Sequence, residues 1–328
     1  MKVTILHDDV KGRPNATPDE LGVLEAVEAV EEALEALAHE AIRLPAGEDV
    51  ESWRPRLASN GTQVVFNLCE GLGGRSEGEV LAARIVEESG LPMTGSPSAT
   101  LARSRQKDRV NALLKERGLP VPVWFLWSGV EGARKGSLDL PAGWTSFPAI
   151  VKPAAEDGSV GIDQGAVVSD PVSLARRLEE MRDRSPLLVQ AFVGTREINA
   201  AIIGREVLPL SEIVFQGLPE GHHPIVGYEA KWVAGSLEDM GTRPVCPAPV
   251  PTAVASRVRL LALKAWRAVG GRGYGRVDFR LSPPDGLWIL EVNPNPDLSP
   301  SAGLARAARV EGMSYRDLVD RVLQEALS

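Results

Sequence analysis

Apolar residues recur along the first third of the chain at two alternating spacings. Lys2–Leu6 and Val64-Val65-Phe66-Asn67 are short, nearly continuous apolar runs, the pattern of strands buried on both faces. Between them Leu24, Val27, Val30, Leu34 and Leu37 keep the spacing of a helix with one apolar stripe. Thr17-Pro18-Asp19-Glu20 sets a capping box ahead of that stripe, with proline at the first helical position. Ser76 and Glu79 predict a second box, on a helix that Gly90 and Pro92 stop. This alternation predicts a parallel sheet covered on both faces. Further on, a helix around Arg105–Arg117, strands near Val121–Trp127, Ala149–Lys152 and Leu187–Phe192, and a helix opening at Asp170-Pro171 form a small α+β unit. From Glu197 the pattern is strand-rich (Glu197–Ile203, then Val207–Val214). A loop from Gln216 to about Ser236 follows, long enough to act as a lid. A helix from Pro251 to Val269, a hairpin from Tyr274 to Val292 and a helix from Ser314 to Leu327 close the chain.

The hairpin carries the densest chemistry. Gly275-Arg276-Val277-Asp278-Phe279-Arg280 and Leu287-Trp288-Ile289-Leu290-Glu291-Val292-Asn293 flank a Pro-Asp-Gly turn at Pro284-Asp285-Gly286. A turn centred between Pro284 and Asp285 sets Asp278 opposite Glu291 and Arg276 opposite Asn293, all on one face. Opposed carboxylates repel unless positive charge lies between them. For a lone Asp–Glu pair, a solvated face paired with Arg276 is the simpler account. With Asn293 on the same face and a lid upstream, a Mg²⁺ site is favoured, since that ion takes few protein oxygens and bridges phosphates.

Composition narrows the field. The 328 residues carry a net charge of −8, which argues against non-specific nucleic-acid binding. No apolar run is long enough to span a bilayer, and the first residues turn acidic too early for a signal peptide. Two distant cysteines, Cys69 and Cys246, form neither a disulfide framework nor a metal motif, so a reducing, cytoplasmic setting is expected. Only eight lysines stand against 28 arginines. Lys152 ends an apolar strand and opens the loop Pro153–Gly161, a place where ammonium and backbone N–H groups can meet phosphate. Lys107, taken alone, reads as surface charge.

FNLCEGLGGRSEGE, GLPMTGSPSATLARSRQKD, PAIVKPAAEDGSVG, GTREINAAIIG, GYEAKW, GYGRVDFR and LEVNPNPDLS occur in the order found in D-alanine–D-alanine ligases. From about Val64 to Leu327 the chain resembles that family, and the order is far more specific than any one motif. The resemblance implies an ATP-grasp fold, α/β and α+β, with a Rossmann-like N-terminal domain (1–106), a small central domain (107–193) and a C-terminal ATP-grasp domain (194–328). Lys107 and Lys152 would contact ATP phosphates, with Ser159 in the glycine loop beside them. Glu197 would hold the ribose, while Gln190, Ala191 and Val193 line the adenine edge. Asp278, Glu291 and Asn293 would ligate two Mg²⁺ ions, with Mn²⁺ as an alternative. Arg276 would stabilise the acyl phosphate and tetrahedral intermediate, and Lys231 on the lid would reach the γ-phosphate. The implied reaction is an ADP-forming carboxylate–amine ligation, in a cytoplasmic homodimer acting on small molecules without nucleic acid or membrane.

Departures from the family pattern cluster on the amino-acid side. The N-terminal Gly-Gly run with its substrate-binding Glu is absent: the strand runs into His7-Asp8-Asp9, with Glu20 the nearest replacement. Gly158 stands where a serine is usual, Trp232 where a tyrosine is, Asp297 where a glycine is, Ala302 where a serine is, and Glu70 where a histidine is. Gln190 replaces a glutamate. Metal and phosphate residues persist, which points to an altered substrate. True D-alanine–D-alanine ligation, an ATP-binding regulator and an ATP-grasp kinase are the alternatives, and retention of Arg276 weighs against the regulator.

Overall fold

The computed structural model describes residues 1–11, 13, 16–129, 144–282 and 286–328. Three sheets organise them. In the first, β1 (Lys2–Asp8), β2 (Glu40–Ala46) and β3 (Val64–Asn67) run parallel in the order β2-β1-β3. Helices cover both faces, as the alternating pattern predicts. They are α1 (Pro18–Leu21), α2 (Val23–Ala36), α3 (Val50–Ser59) and α4 (Gly78–Glu88). Val3, Ile5, Val64 and Phe66 pack with the α2 stripe on one side, while Leu6, Leu44 and Val65 pack with Trp53, Leu57 and Ile85 on the other.

The second sheet has the order β4-β7-β5-β6, from β4 (Trp124–Trp127), β5 (Ala149–Pro153), β6 (Val167–Val168) and β7 (Leu187–Ala191). Before it come α5 (Ser98–Ser104) and α6 (Lys107–Glu116), and α7 (Pro171–Glu180) packs on one face. Ala149, Val151, Leu187 and Val189 meet Leu174 and Leu178 of α7 in one core. The registers Ile150↔Gln190 and Lys152↔Leu188 therefore place Ile150, Lys152, Leu188 and Gln190 together on the opposite face.

The third sheet runs β11-β10-β8-β12-β13 with β9 beside β8. Its strands are β8 (Arg196–Ile203), β9 (Glu206–Val207), β10 (Ser211–Phe215), β11 (Thr242–Val245), β12 (Tyr274–Ser282) and β13 (Gly286–Pro294). The remaining helices are α8 (Tyr228–Trp232), α9 (Leu237–Met240), α10 (Thr252–Val269), α11 (Gly303–Val310) and α12 (Tyr315–Leu327). Ile198, Ala200, Ile202, Val277, Phe279 and Val292 face α10 and α6 in a second large core. Alternation then turns Glu197, Asn199, Arg276, Asp278, Arg280, Glu291 and Asn293 to the other side.

Some local expectations are corrected. The Ser76–Glu79 box does not form: α4 opens at Gly78 with no side-chain cap, and the Ser76 hydroxyl accepts from Arg105 Nη2 at 2.8 Å instead. The predicted strand Val207–Val214 is split into β9 and β10 around Pro209, which cannot donate to the ladder. The lid segment carries α8 rather than only irregular chain, and α9 follows directly after it. Pro284 and Asp285 of the predicted hairpin turn lie outside the described residues. The pairs Asp278↔Glu291 and Arg276↔Asn293 form as expected, and a bulge shifts the register by one residue immediately beyond Asp278.

Candidate active site

The hairpin and β8 assemble one polar cluster. Arg276 Nε and Nη2 donate to Asp278 Oδ1 and Oδ2 at 2.8 and 2.9 Å. Asn199 Nδ2 donates to Asp278 Oδ1 at 2.7 Å, and Asn293 Nδ2 donates to Asp278 Oδ2 at 2.8 Å and to Glu291 Oε1 at 3.2 Å. Burial pushes the Glu291 carboxyl upward, but Lys107, Lys152 and Arg276 outweigh it and hold the group at about 2, fully ionised. Among the described residues no group of three or more His, Cys, Asp or Glu clusters for a metal. Two carboxylates and an amide are nonetheless a hard-oxygen donor set, which fits a Mg²⁺ ion that draws its other ligands from phosphate and water.

Two buried lysines face this cluster in very different states. Lys107, the first residue of α6, donates to Glu156 O and lies 3.0 Å from Asp157 Oδ1. Burial lowers its pKa, yet Asp157 and Glu291 raise it further, leaving it above the usual lysine value. Lys152 is only 7% exposed, and its ammonium group makes no hydrogen bond or ion pair among the described residues. Burial, which favours the neutral amine, pulls its pKa down. A buried ammonium is costly, and the Glu291 carboxylate is the neighbouring charge that most opposes the shift.

The lid lies against the glycine loop. Trp232 Nε1 donates to Gly158 O at 2.8 Å, Ser159 Oγ to Val226 O at 2.9 Å and Tyr228 N to Ile162 O at 2.9 Å. Gly158 and Ser159 both have left-handed backbones, φ 65° and 63°, which aim these groups at the lid. Lys231 stacks over the Trp232 ring at 5.0 Å. Desolvation, then repulsion from Arg276, lowers its pKa, while Glu70, Glu291 and Asp297 oppose the shift.

At the far end of β12, Glu197 Oε2 pairs with Arg280 Nη2 at 3.0 Å, and burial raises the Glu197 pKa. Ala191 N is used by Val123 O at 2.9 Å, whereas Val193 N donates to no carbonyl among the described residues. At the opposite end, a cavity of about 20 Å³ is lined by Asn67, Glu70, Glu79, Tyr274, Asn295 and apolar neighbours. Asp297 caps its own turn, accepting from Ser299 N at 2.7 Å. Glu20 is engaged by Arg13 at 2.9 Å and by Thr17 N at 2.7 Å.

Comparison with known proteins meets this geometry. The model of the D-ala D-ala ligase C-terminus matches residues 113–324. The D-alanine–D-alanine ligase of Gluconobacter oxydans is 33% identical over 302 residues, 92% of this chain and 93% of that protein. The one from Sphingopyxis alaskensis is 32% identical over 309 residues, 91% of each. The chain belongs to the D-alanine–D-alanine ligase family. It is therefore an ATP-dependent carbon–nitrogen ligase with the ATP-grasp fold. The crystal structure of the Bacillus anthracis D-alanine–D-alanine ligase complexed with ATP superposes with a TM-score of 0.77 at 18% identity, covering 100% of this chain and 97% of that one.

Within this family framework the structure gathers all three predicted metal-side residues, Arg276 and both lysines around one cleft. It adds three residues that sequence reading missed. Asn199 is brought to Asp278 by the β8–β12 pairing, and Arg280 follows Asp278 by two on the same strand, so alternation alone could have found it. Asp157 in the glycine loop is the carboxylate on Lys107. No helix among the described residues is long and apolar enough to cross a membrane.

Proposed function

We propose that the chain joins a carboxylate to an amine with release of ADP and phosphate, on an amino-acid-like pair that differs from two D-alanines. The supporting observation is the ladder of Arg276, Asp278 and Glu291 facing Lys107 and Lys152, a cation-rich pocket around carboxylate oxygens. In this reading Lys152 and Lys107 receive ATP phosphates, Lys107 exchanging Asp157 for them. Lys231 meets the γ-phosphate from the lid. Ser159 fixes the glycine loop, Glu197 holds the ribose, and Gln190, Ala191 and Val193 border the base. Asp278, Glu291 and Asn293 would hold Mg²⁺, two ions or the equivalent Mn²⁺, which supplies charge neutralisation on the transferring phosphoryl group.

A substrate carboxylate oxygen attacks the γ-phosphorus and the bond to the β-phosphate oxygen breaks, giving an acyl phosphate and ADP. The amine lone pair then attacks the acyl carbon while Arg276 faces the developing oxyanion. The carbon–phosphate oxygen bond breaks, phosphate leaves and the ammonium proton passes to it or to water. The lid excludes water that would hydrolyse the acyl phosphate. Domain limits at 1–106, 107–193 and 194–328, a cytoplasmic setting and a homodimer belong to the same reading.

The altered substrate rests on Glu20 being occupied by Arg13, on Ala302 offering no hydroxyl at the start of α11, and on the carboxylates of Glu70, Glu79 and Asp297 near the small cavity. The curated relatives favour a second reading, ligation of two D-alanines. ADP release with Mg·ATP across single and paired D- and L-amino acids, with product masses, separates the two. A D-alanyl-D-alanine mass at rates comparable to any other pair would overturn the altered-substrate proposal.

A further inference from the structure

The carboxylate of Asp157 sits where the nucleotide assignment puts phosphate. Lys107 Nζ lies 3.0 Å from Asp157 Oδ1, and Arg105 Nη1 lies 3.6 Å from Oδ2, so each oxygen faces a cation. The two cations are nearly closed to water, with 8% and 11% of their side chains exposed, whereas the Asp157 side chain is 45% exposed. At Lys107 burial is the largest influence, and Asp157 is the charge that most opposes it. The backbone of the glycine loop is held by other contacts. Lys107 N donates to Ala154 O at 3.0 Å and its Nζ to Glu156 O, while Val160 N closes a turn on Asp157 O at 3.2 Å. Within that turn Gly158 O and the Ser159 hydroxyl are fixed by Trp232 and Val226. The Asp157 side chain can therefore leave Lys107 while the loop keeps its shape. A polyphosphate and a carboxylate cannot both take Lys107 without like charges meeting.

We propose that Asp157 is a built-in competitor for the nucleotide's phosphates, occupying Lys107 in the empty cleft and moving onto Arg105 when they arrive. The move is short because Oδ2 already lies beside Arg105, which Glu79, Ser76 and Ala155 O hold in place. Asp157 thereby keeps the buried ammonium of Lys107 paired before nucleotide binds and lowers the affinity with which it binds. The proposal rests on the nucleotide assignment above and concerns the regulation of that same site.

The test is equilibrium titration of the full chain with Mg·ATP and with adenosine, which carries no phosphate. Asp157→Asn should bind Mg·ATP about fivefold tighter than wild type, the scale of one partly exposed ion pair that no longer has to be broken. Adenosine affinity should stay at the wild-type value. Glu156→Gln removes an equal charge one residue earlier and should shift Mg·ATP affinity by no more than about twofold. Weaker or unchanged Mg·ATP binding by Asp157→Asn overturns the proposal, because a carboxylate that only shapes the loop would be missed by the nucleotide. An equal gain with adenosine or in Glu156→Gln also overturns it, since the effect would then lie outside the Lys107 contact. If the amide variant does not fold, Asp157→Ser, too short to reach Lys107, is read by the same signs. No binding of Mg·ATP by wild type would instead overturn the nucleotide assignment.

Discussion

Glu291 and Glu79 are both carboxylates withdrawn from water in the same cleft, yet they are driven in opposite directions. Burial raises each of them. At Glu291 the ammonium groups of Lys107 and Lys152 and the Arg276 guanidinium reverse this and bring the group to about 2. At Glu79 the neighbouring Asp157 charge adds to burial, and Arg105 Nη1 at 3.3 Å does not compensate, so the group rises to about 7. One end of the cleft thus gathers Lys107, Lys152 and Arg276 around Glu291, the end that the proposed function gives to phosphate and metal. The other end gathers Glu79, Glu70 and Asp297, and there Glu79 is driven toward its protonated form. In the proposed function the phosphate chemistry belongs to the first end, while the departure at Glu70 lines the cavity at the second and those at Gly158, Gln190 and Trp232 lie outside that cavity.

The sharpest way to break this comparison is to remove the carboxylate that organises the phosphate end. Asp278→Asn keeps the size of the side chain but loses the charge that Arg276, Asn199 and Asn293 converge on. Turnover should fall on the order of 10³-fold, the scale of losing one preorganised electrostatic contact at a phosphoryl or oxyanion centre. Far-ultraviolet circular dichroism should stay unchanged. Ordinary ADP release from this variant would remove Asp278 from the catalytic end.

A smaller effect is expected where the lid joins the two ends. Trp232→Phe keeps a ring under Lys231 and deletes the donor to Gly158 O, worth about 1 kcal/mol as a single neutral hydrogen bond. The lid should then stay closed a smaller fraction of the time. Product per ADP should drop severalfold as water reaches the acyl phosphate, with ADP release itself changing less. Unchanged coupling would mean that Ser159 and Tyr228 hold the lid without Trp232.

How much of this was legible depended on how far apart in the chain the partners lie. The hairpin announced itself because Asp278 and Glu291 are 13 residues apart and alternation fixes their face. The bulge beyond Asp278 left those pairs intact. The parallel first sheet followed from apolar runs and helical stripes. Asn199 was not legible, since pairing β8 with β12 spans nearly 80 residues and nothing local encodes that register. The state of the lysines was also hidden. In sequence Lys152 reads as a strand-end phosphate contact and Lys107, taken alone, as surface charge, and only the folded glycine loop gives Lys107 a carboxylate while leaving the Lys152 ammonium without a hydrogen-bond partner. Ser76 failed as a cap for a related reason: Arg105, far along the chain, takes its hydroxyl.

The opposite shifts of the two glutamates make the smallest prediction and the most direct one. Glu291 lies below its ordinary 4.5, so the unfolded chain binds more protons between about 4.5 and 2. Its contribution is present above about 4.5 and is lost as pH falls through about 2. Glu79 lies above 4.5, so its contribution is present below about 4.5 and is lost as pH rises through about 7. Urea midpoints measured without nucleotide or metal should therefore respond differently to the two amide variants. Glu291→Gln should flatten the acid limb and lower stability at neutral pH, because Lys107 and Lys152 lose their shared counter-charge. Glu79→Gln should leave the acid limb alone, remove the decline approaching pH 7 and make the protein more stable than wild type at pH 8. Arg105 keeps Ser76, Ala155 O and Asp157 as partners in that variant, so no cation is stranded. If both variants moved the profile in the same direction, the two ends of the cleft would not be electrostatic opposites, and the division of the site into a phosphate end and a carboxylate-rich end would fail with them.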